Sequence, residues 1–272
     1  MIEARNIAIG QNIEKTVCFK LPNGKIYGIL GKKGSGKSTL LRLLSGSLSP
    51  RCGAVIINGF DLQKEPVSAK KCIGYLPQDF APYEEMTVME FLLFVADAKN
   101  VSYGRTVKQI RELTELTDLD TKLDRLIQKL TAEEKAKLGI LQACIGNPDI
   151  LLLDDPTRGL TPRAKQNICA FLRHLAKTKT LIVTGSELEQ MQELCDDLLI
   201  LAAKKSEASG KFEVELVAEL DGNDPEVQVI FDSLVALESP ETPRKKASKR
   251  IGILSEQSGS CETVDENEEE EG

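Results

Sequence analysis

The sequence predicts an α/β fold in which a parallel sheet carries its functional residues at one edge. An apolar run at 26–30 precedes nine residues rich in glycine, lysine and serine at 31–39, and the pattern of a helix follows at 40–44. A second apolar run at 150–153 ends in two aspartates. Buried parallel strands have this continuous apolar character, and doubly wound sheets bind ligands at the carboxyl ends of their strands.

The segment 31–39 has the pattern of a phosphate-binding loop. Gly31, Gly36, Lys37 and Ser38 match G-x-x-x-x-G-K-[ST] between a strand and a helix. In such a loop, backbone N–H groups surround phosphate oxygens, and the helix N-terminus adds positive potential. A glycine turn that binds nothing is the alternative, and the flanking strand and helix argue against it. The expected nucleotide-binding residues are Gly31, Lys32, Lys33, Gly34, Ser35, Gly36, Lys37, Ser38 and Thr39.

The two aspartates after the second strand complete the predicted site. We expect Asp154 to hold the water shell of Mg²⁺ against the phosphates, together with the Ser38 hydroxyl. Lys37 is expected to reach the β- and γ-phosphates. Asp155 follows at the position from which a hydrolytic water would be oriented. A buried strand that merely ends in Asp-Asp at a turn is the alternative, but it is less plausible beside the phosphate loop.

These segments resemble the nucleotide-binding subunit of an ABC transporter, and the resemblance covers most of residues 1–203. Gly74-Tyr75-Leu76-Pro77-Gln78 resembles the family's Q-loop, which implies that Gln78 contacts nucleotide and Mg²⁺, takes part in catalysis and senses the membrane partner. The resemblance implies a P-loop NTPase of ABC type. Its fold would be a mixed sheet with an N-terminal antiparallel part, an inserted helical subdomain and a small C-terminal extension.

The family's signature, L-S-G-G-Q, aligns with a divergent segment here. In the family, the serine and the glycine amides bind the γ-phosphate of ATP held by the opposite subunit. Thr131 keeps a hydroxyl, but Ala132 and Glu133 replace both glycines, and Glu134 adds a second negative charge. Thr131 and Glu134 have the spacing of a capping box, so a helix is still expected to begin here. The segment is therefore predicted to start a helix that has lost its anion site.

Other positions also differ from the family pattern. Asp155 stands at the position of the family's catalytic glutamate and is one methylene shorter. Its carboxylate would therefore lie about 1–1.5 Å further from the water that it must orient, and misplacement of that order can lower the rate ~10²-fold. Thr161 replaces the last aspartate of the D-loop, and Ser186 replaces the switch histidine. We expect slow hydrolysis with ATP binding retained.

Two smaller expectations concern the single histidine and the adenine base. His174 is predicted to be a partly buried structural residue on a helix at 164–177, because histidine is often intermediate in burial. No aromatic residue precedes Phe19, so the family's adenine-stacking tyrosine is expected to be absent. Ile9 or Ile13 is the hydrophobic substitute.

The predicted domain organisation has three parts. They are an ABC-type nucleotide-binding domain at 1–203 with its helical subdomain at 84–130, a small extension at 204–237 and a disordered charged tail at 238–272. Apolar residues at three-to-four spacing predict the subdomain helices at 89–95 and 107–116. Alternation predicts a strand at 212–217, and a short helix is predicted at 225–237.

Composition narrows the class of protein. Hydrophobic residues make up 41% and charged residues 28% of the chain, which is typical of globular proteins. The net charge of −7 argues against a nucleic-acid partner. The start of the chain has no signal-peptide pattern, and no apolar run approaches the ~20 residues of a membrane helix. The seven cysteines show no C-x-x-C spacing, so we expect reduced core thiols.

The resemblance implies an ATP-binding subunit, with ATP and Mg²⁺ as cofactors, that acts in the cytoplasm on the inner face of the cell membrane. Its expected partners are an integral membrane permease and a second nucleotide-binding subunit, in a homodimer or a heterodimer. Among such proteins it is most similar to subunits of multidrug, antibiotic-resistance or ABC-2 transporters. A soluble or regulatory ABC-type ATP-binding protein without a transport role is the alternative.

Overall fold

The computed structural model describes residues 1–9, 16–205 and 212–236. The strands in these ranges are β1 (Ile2–Ile7), β2 (Val17–Leu21), β3 (Ile26–Leu30), β4 (Ala54–Ile57), β5 (Phe60–Asp61), β6 (Ile73–Leu76), β7 (Ile150–Asp154), β8 (Thr180–Gly185), β9 (Asp197–Lys205) and β10 (Phe212–Asp221). The α-helices are α1 (Lys37–Leu44), α2 (Pro66–Lys71), α3 (Val88–Ala98), α4 (Tyr103–Glu115), α5 (Ala132–Cys144), α6 (Pro162–Ala176), α7 (Leu188–Leu194) and α8 (Glu226–Ala236). Two short 3₁₀ turns lie at Asp120–Lys122 and Ile127–Lys129.

The strands form two sheets. The larger has the order β10-β9-β3-β8-β7-β6, and its pairings are parallel except that β10 runs antiparallel to β9. The smaller is antiparallel, with the order β2-β1-β4-β5. The predicted fold class, an α/β fold with a mixed sheet and an N-terminal antiparallel part, is confirmed.

The larger sheet is buried on both faces. Side chains alternate along its central strands, so Ile26 and Leu30 of β3 pack in one apolar cluster while Tyr27 and Ile29 pack in another. The first cluster is covered by α3 to α7. The second lies between the larger sheet, α1 and the smaller sheet. All five residues of β3 are buried, which explains its unbroken apolar sequence.

The predicted helices of the subdomain are confirmed as α3 and α4. A capping box starts α3: the Thr87 hydroxyl accepts from Glu90 N, and the Glu90 carboxylate accepts from Thr87 N at 2.8 Å. Phe91, Leu92 and Ile110 then turn inward and pack in the same cluster as α5. The subdomain is thus joined to the sheet through a shared apolar core.

The predicted C-terminal strand and helix are confirmed as β10 and α8. The predicted boundary at residue 203 falls within β9, which β10 extends as an edge strand. Val227 of α8 is fully buried, and Phe231 packs against the same cluster as α6 and α7. The division into domains remains a prediction, and the tail at 238–272 lies outside the described residues.

One side chain differs from its prediction. His174 lies on α6 as expected, but it is exposed, so the prediction of a partly buried histidine is wrong. The buried side of α6 consists of Ile168, Phe171, Leu172 and Leu175. Position 174 faces away from that stripe, because each helical residue turns by about 100°.

The described cysteines are all free thiols, and four of them are buried: Cys52, Cys144, Cys169 and Cys195. Cys72 is half-buried and Cys18 is exposed, while Cys261 lies outside the described residues. The prediction of core thiols therefore fits most of them.

In the described ranges, no helix has the length and apolar character needed to cross a bilayer.

A glycine in β6 tests the packing of α5 on the sheet. A Cβ on Gly74 would lie 2.1 Å from the backbone oxygen of Ala143, so Gly74→Ala should lower the free energy of unfolding by roughly 1–3 kcal/mol. Gly104→Ala is the matched control, because a Cβ there meets nothing within 4 Å. Urea denaturation measures both. Equal stability of the two variants would contradict the packing described.

Candidate functional site

The sequence-predicted residues meet at the carboxyl edge of the larger sheet. There β3 ends before the loop 31–36, β7 ends at Asp154, and β8 ends before Ser186. These strands are neighbours, and β8 lies between β3 and β7. Since parallel strands end at the same edge, three distant segments of the chain reach one place.

The loop ends at a helix whose first amides have no side-chain cap. Gly36 stands at the N-cap of α1 with φ of 91°, a left-handed conformation that favours glycine. In place of a cap, the Lys37 ammonium crosses the loop and donates to Gly31 O at 2.5 Å and to Lys32 O at 3.0 Å. Burial lowers the pKa of Lys37, while the carboxylates of Asp155 and Asp154 act in the opposite direction. An uncapped helix start beside an ammonium group suits an anion.

The other loop residues divide by exposure. Lys32, Lys33 and Gly34 are exposed, whereas Gly36, Ser38 and Thr39 are half-buried. Ser35 is 3% exposed, and its Oγ has no hydrogen-bond partner among the described residues. The loop therefore offers open backbone on its outer side and hydroxyl groups near the helix.

The two aspartates at the end of β7 share a hydrogen-bond partner on β8. Thr184 Oγ1 donates to Asp154 Oδ1 at 2.6 Å and accepts from Asp155 N at 2.9 Å. Asp154 is 3% exposed, while Asp155 is half-buried in a left-handed conformation with φ of 51°. Burial raises the pKa of Asp155, and the charge of Asp154 raises it further, against the effects of Arg158 and Lys37.

Gln78 lies beyond the end of β6 and Ser186 beyond the end of β8, the two strands on either side of β7, and both residues are exposed. The Gln78 segment touches the segment after Asp155 through an ion pair between Asp79 and Arg158, at 3.7 Å. Thr161, at the last D-loop position, accepts from Ala164 N and caps α6 instead.

The signature segment begins α5 and is closed by its own side chains. The Thr131 hydroxyl accepts from Glu134 N at 3.3 Å, and Glu134 accepts from Thr131 N at 2.8 Å, so the predicted capping box is confirmed. Lys122 pairs with Glu134, and the hydrogen bonds to Asn167 and Lys137 lower the pKa of Glu133 despite its burial. Ala132 is exposed. Two carboxylates thus stand at the start of α5, where their negative charge disfavours an anion.

Ile9, one of the two predicted substitutes for the adenine-stacking residue, has little exposed surface. Ile9 lies beside the loop, and its Cγ2 would be 2.9 Å from a Cβ on Gly36. It is only 6% exposed, because it packs in the cluster below the loop. Ile13 lies outside the described residues.

Sequence reasoning did not identify Thr184 or Tyr75 at this edge. Thr184 was part of an apolar strand pattern, and only the direct pairing of Asp154 with Thr184 in the β7–β8 register shows its position. Burial raises the pKa of Tyr75, and the negative charge of Asp154 raises it further. A polar residue at the end of a buried strand was the available signal for both.

This fold and loop define a P-loop nucleotide-binding protein of the α/β class. The family model described as "ABC transporter" matches residues 15–158. The chain belongs to the ABC transporter family, as an ATP-binding protein, which confirms the assignment made from its motifs.

Individual relatives agree with this family assignment. The chain is 30% identical over 227 residues to the linearmycin resistance ATP-binding protein LnrL of Bacillus subtilis (strain 168), covering 82% of this chain and 73% of that one. It is 35% identical over 178 residues to the probable multidrug ABC transporter ATP-binding protein YbhF of Escherichia coli (strain K12), covering 65% of this chain but 31% of that one. A solved ATP-binding subunit of an ABC transporter has the same fold, with a TM-score of 0.71 and 24% identity over 87% of this chain and 98% of that one.

Proposed function

We propose that the chain is the ATP-binding subunit of an ABC transporter and couples ATP binding to a separately encoded membrane permease on the inner face of the membrane. The observation that carries this proposal is the meeting of the phosphate loop and Asp154 at one edge of the sheet. The names of two relatives refer to linearmycin resistance and to a multidrug transporter, which favours a role in export.

The proposed nucleotide site uses the residues of this edge in distinct roles. Backbone amides of the loop and the start of α1 bind the phosphates, and Lys37 moves from its two carbonyl partners to phosphate oxygens. The Ser38 hydroxyl, Gln78 and Asp154 offer oxygen ligands, the donor type that suits Mg²⁺. When bound, Mg²⁺ neutralises charge on the β- and γ-phosphates.

Hydrolysis is proposed to be slow, and two features support this. Asp155 stands at the position of the family's catalytic glutamate but is one methylene shorter, and Ser186 stands at the separate position of the switch histidine. The α5 start is closed by Glu133 and Glu134, so it is a poor site for the phosphate of a second ATP. We propose that a second nucleotide-binding subunit with an open helix start completes the working site at this chain's loop.

A patch of exposed aromatic residues on the helical subdomain is the proposed docking surface for the permease. Tyr83 and Phe94 are 56% and 46% exposed, and their rings meet edge to face at 5.5 Å. Beside them, Tyr103 is 72% exposed at a cleft of about 430 Å³ between α3 and α4. Exposed apolar patches of this kind mark interaction sites.

Removal of the loop ammonium tests nucleotide binding. Lys37→Ala should abolish binding of a fluorescent ATP analogue, because it removes the ammonium group that lies across the loop and is proposed to bind phosphate oxygens. Lys33→Ala is the matched control: the Lys33 side chain is exposed, and alanine keeps the backbone amide through which this loop position is proposed to bind phosphate, so binding should stay close to that of the wild type. Fluorescence titration measures both variants. Equal binding by wild type and Lys37→Ala would refute the proposed site.

The docking surface is tested by purification from native membranes. Phe94→Ser should reduce recovery of a multi-span membrane protein with the tagged chain by roughly tenfold or more, since central aromatic residues dominate interface energies. Val229→Ser is the control, because Val229 is an equally apolar residue, 68% exposed on α8. Mass spectrometry identifies and quantifies the partner. Undiminished recovery with Phe94→Ser would refute this docking surface, and a partner without membrane spans would argue for the non-transport alternative.

A further inference from the structure

Thr184 stands between the two aspartates of the proposed nucleotide site. It is 1% exposed at the carboxyl end of β8, directly opposite Asp154 in the β7–β8 register. Its hydroxyl makes both contacts described above, to Asp154 Oδ1 at 2.6 Å and with Asp155 N at 2.9 Å. A single side chain is therefore bonded to two consecutive residues of the site.

The chemistry of a hydroxyl group fixes the direction of these bonds. A hydroxyl has one proton to donate and lone pairs to accept. Because Asp155 N is itself a donor, Thr184 Oγ1 accepts there, and its only proton points to Asp154. A bond from a hydroxyl to a carboxylate is among the stronger kinds, and its length of 2.6 Å agrees with that class.

The bond to Asp154 limits how that carboxylate can turn. Oδ1 is held against β8, which leaves Oδ2 as the oxygen free of Thr184. An aspartate that can rotate about two bonds must lose that freedom when it holds a metal ion, and a fixed carboxylate has already lost it. The hydroxyl thus sets the orientation of the residue proposed to face Mg²⁺.

The bond from Asp155 N acts on the backbone. Asp155 is a non-glycine residue in the left-handed region, with φ of 51°, at the turn where the chain leaves β7. A side chain in that region costs free energy that the surroundings must offset. The hydrogen bond to Thr184 holds the first amide of this turn, so it helps to direct the Asp155 side chain toward the edge.

We propose that Thr184 is a positioning residue that orients both Asp154 and Asp155 for a Mg²⁺–nucleotide complex. This inference rests on the proposed function of the site. A purely structural threonine would affect stability without regard to the metal ion. A positioning residue affects mainly the part of nucleotide affinity that depends on Mg²⁺.

The test compares variants that keep and remove the hydroxyl. Thr184→Ser keeps it, Thr184→Val removes it at nearly the same volume, and Thr184→Ala is a second hydroxyl-free variant in case the valine protein does not fold. For each protein, a fluorescent ATP analogue is titrated in Mg²⁺ and again in EDTA. The ratio of the two dissociation constants reports the contribution of the metal ion.

We expect the hydroxyl-free variants to lose roughly 10-fold or more of the Mg²⁺-dependent affinity, the range seen when a partner of a metal ligand is removed. Their affinity in EDTA should match the wild type, and Thr184→Ser should retain most of the wild-type ratio. An unchanged ratio in the hydroxyl-free variants, or an equal loss in Mg²⁺ and EDTA, would overturn the inference. If the wild type binds no nucleotide, the proposed function fails instead.

Discussion

The parallel pairing of β3, β8 and β7 is the constraint on which the rest of the site depends. Helices on one side, and α1 with the smaller sheet on the other, bury both faces of these strands, so polar residues stand at their carboxyl ends. The loop at 31–36 is more than 100 residues away in sequence from the aspartates after residue 153, and Thr184 follows Asp154 by 30 residues. The sheet register, rather than any local motif, brings them to one edge.

The starts of α1 and α5 show how a helix N-terminus can be left open to an anion or closed by its own side chains. The start of α1 has no side-chain cap and has Lys37 beside it. The start of α5 is capped by Thr131 and Glu134, with Glu133 also held there by Asn167 and Lys137. At α5 the capping box takes the amides of Thr131 and Glu134, and the carboxylates of Glu133 and Glu134 add negative charge that disfavours an anion there. Of these two helix starts, that of α1 is therefore the better place for an anion.

The sequence was sufficient wherever local pattern decides structure. The glycine loop after a buried strand, the capping box at Thr131 and the apolar stripe of α6 were all predictable, because each depends on neighbours within a few residues. His174 was wrongly placed, although its angle from that stripe already indicated exposure. Thr184 was not predictable, because its role depends on the register between two strands thirty residues apart. The site roles of the predicted residues remain proposals.

We propose that this chain keeps the means to bind ATP but has lost much of the means to hydrolyse it. Steady-state release of phosphate by the isolated chain, at saturating ATP and Mg²⁺, tests it most directly. The account predicts a turnover far below the value of about 10 per second that is typical of enzymes. A turnover near that value would contradict this proposal, because Asp155, Ser186 and the closed α5 start would then not slow hydrolysis.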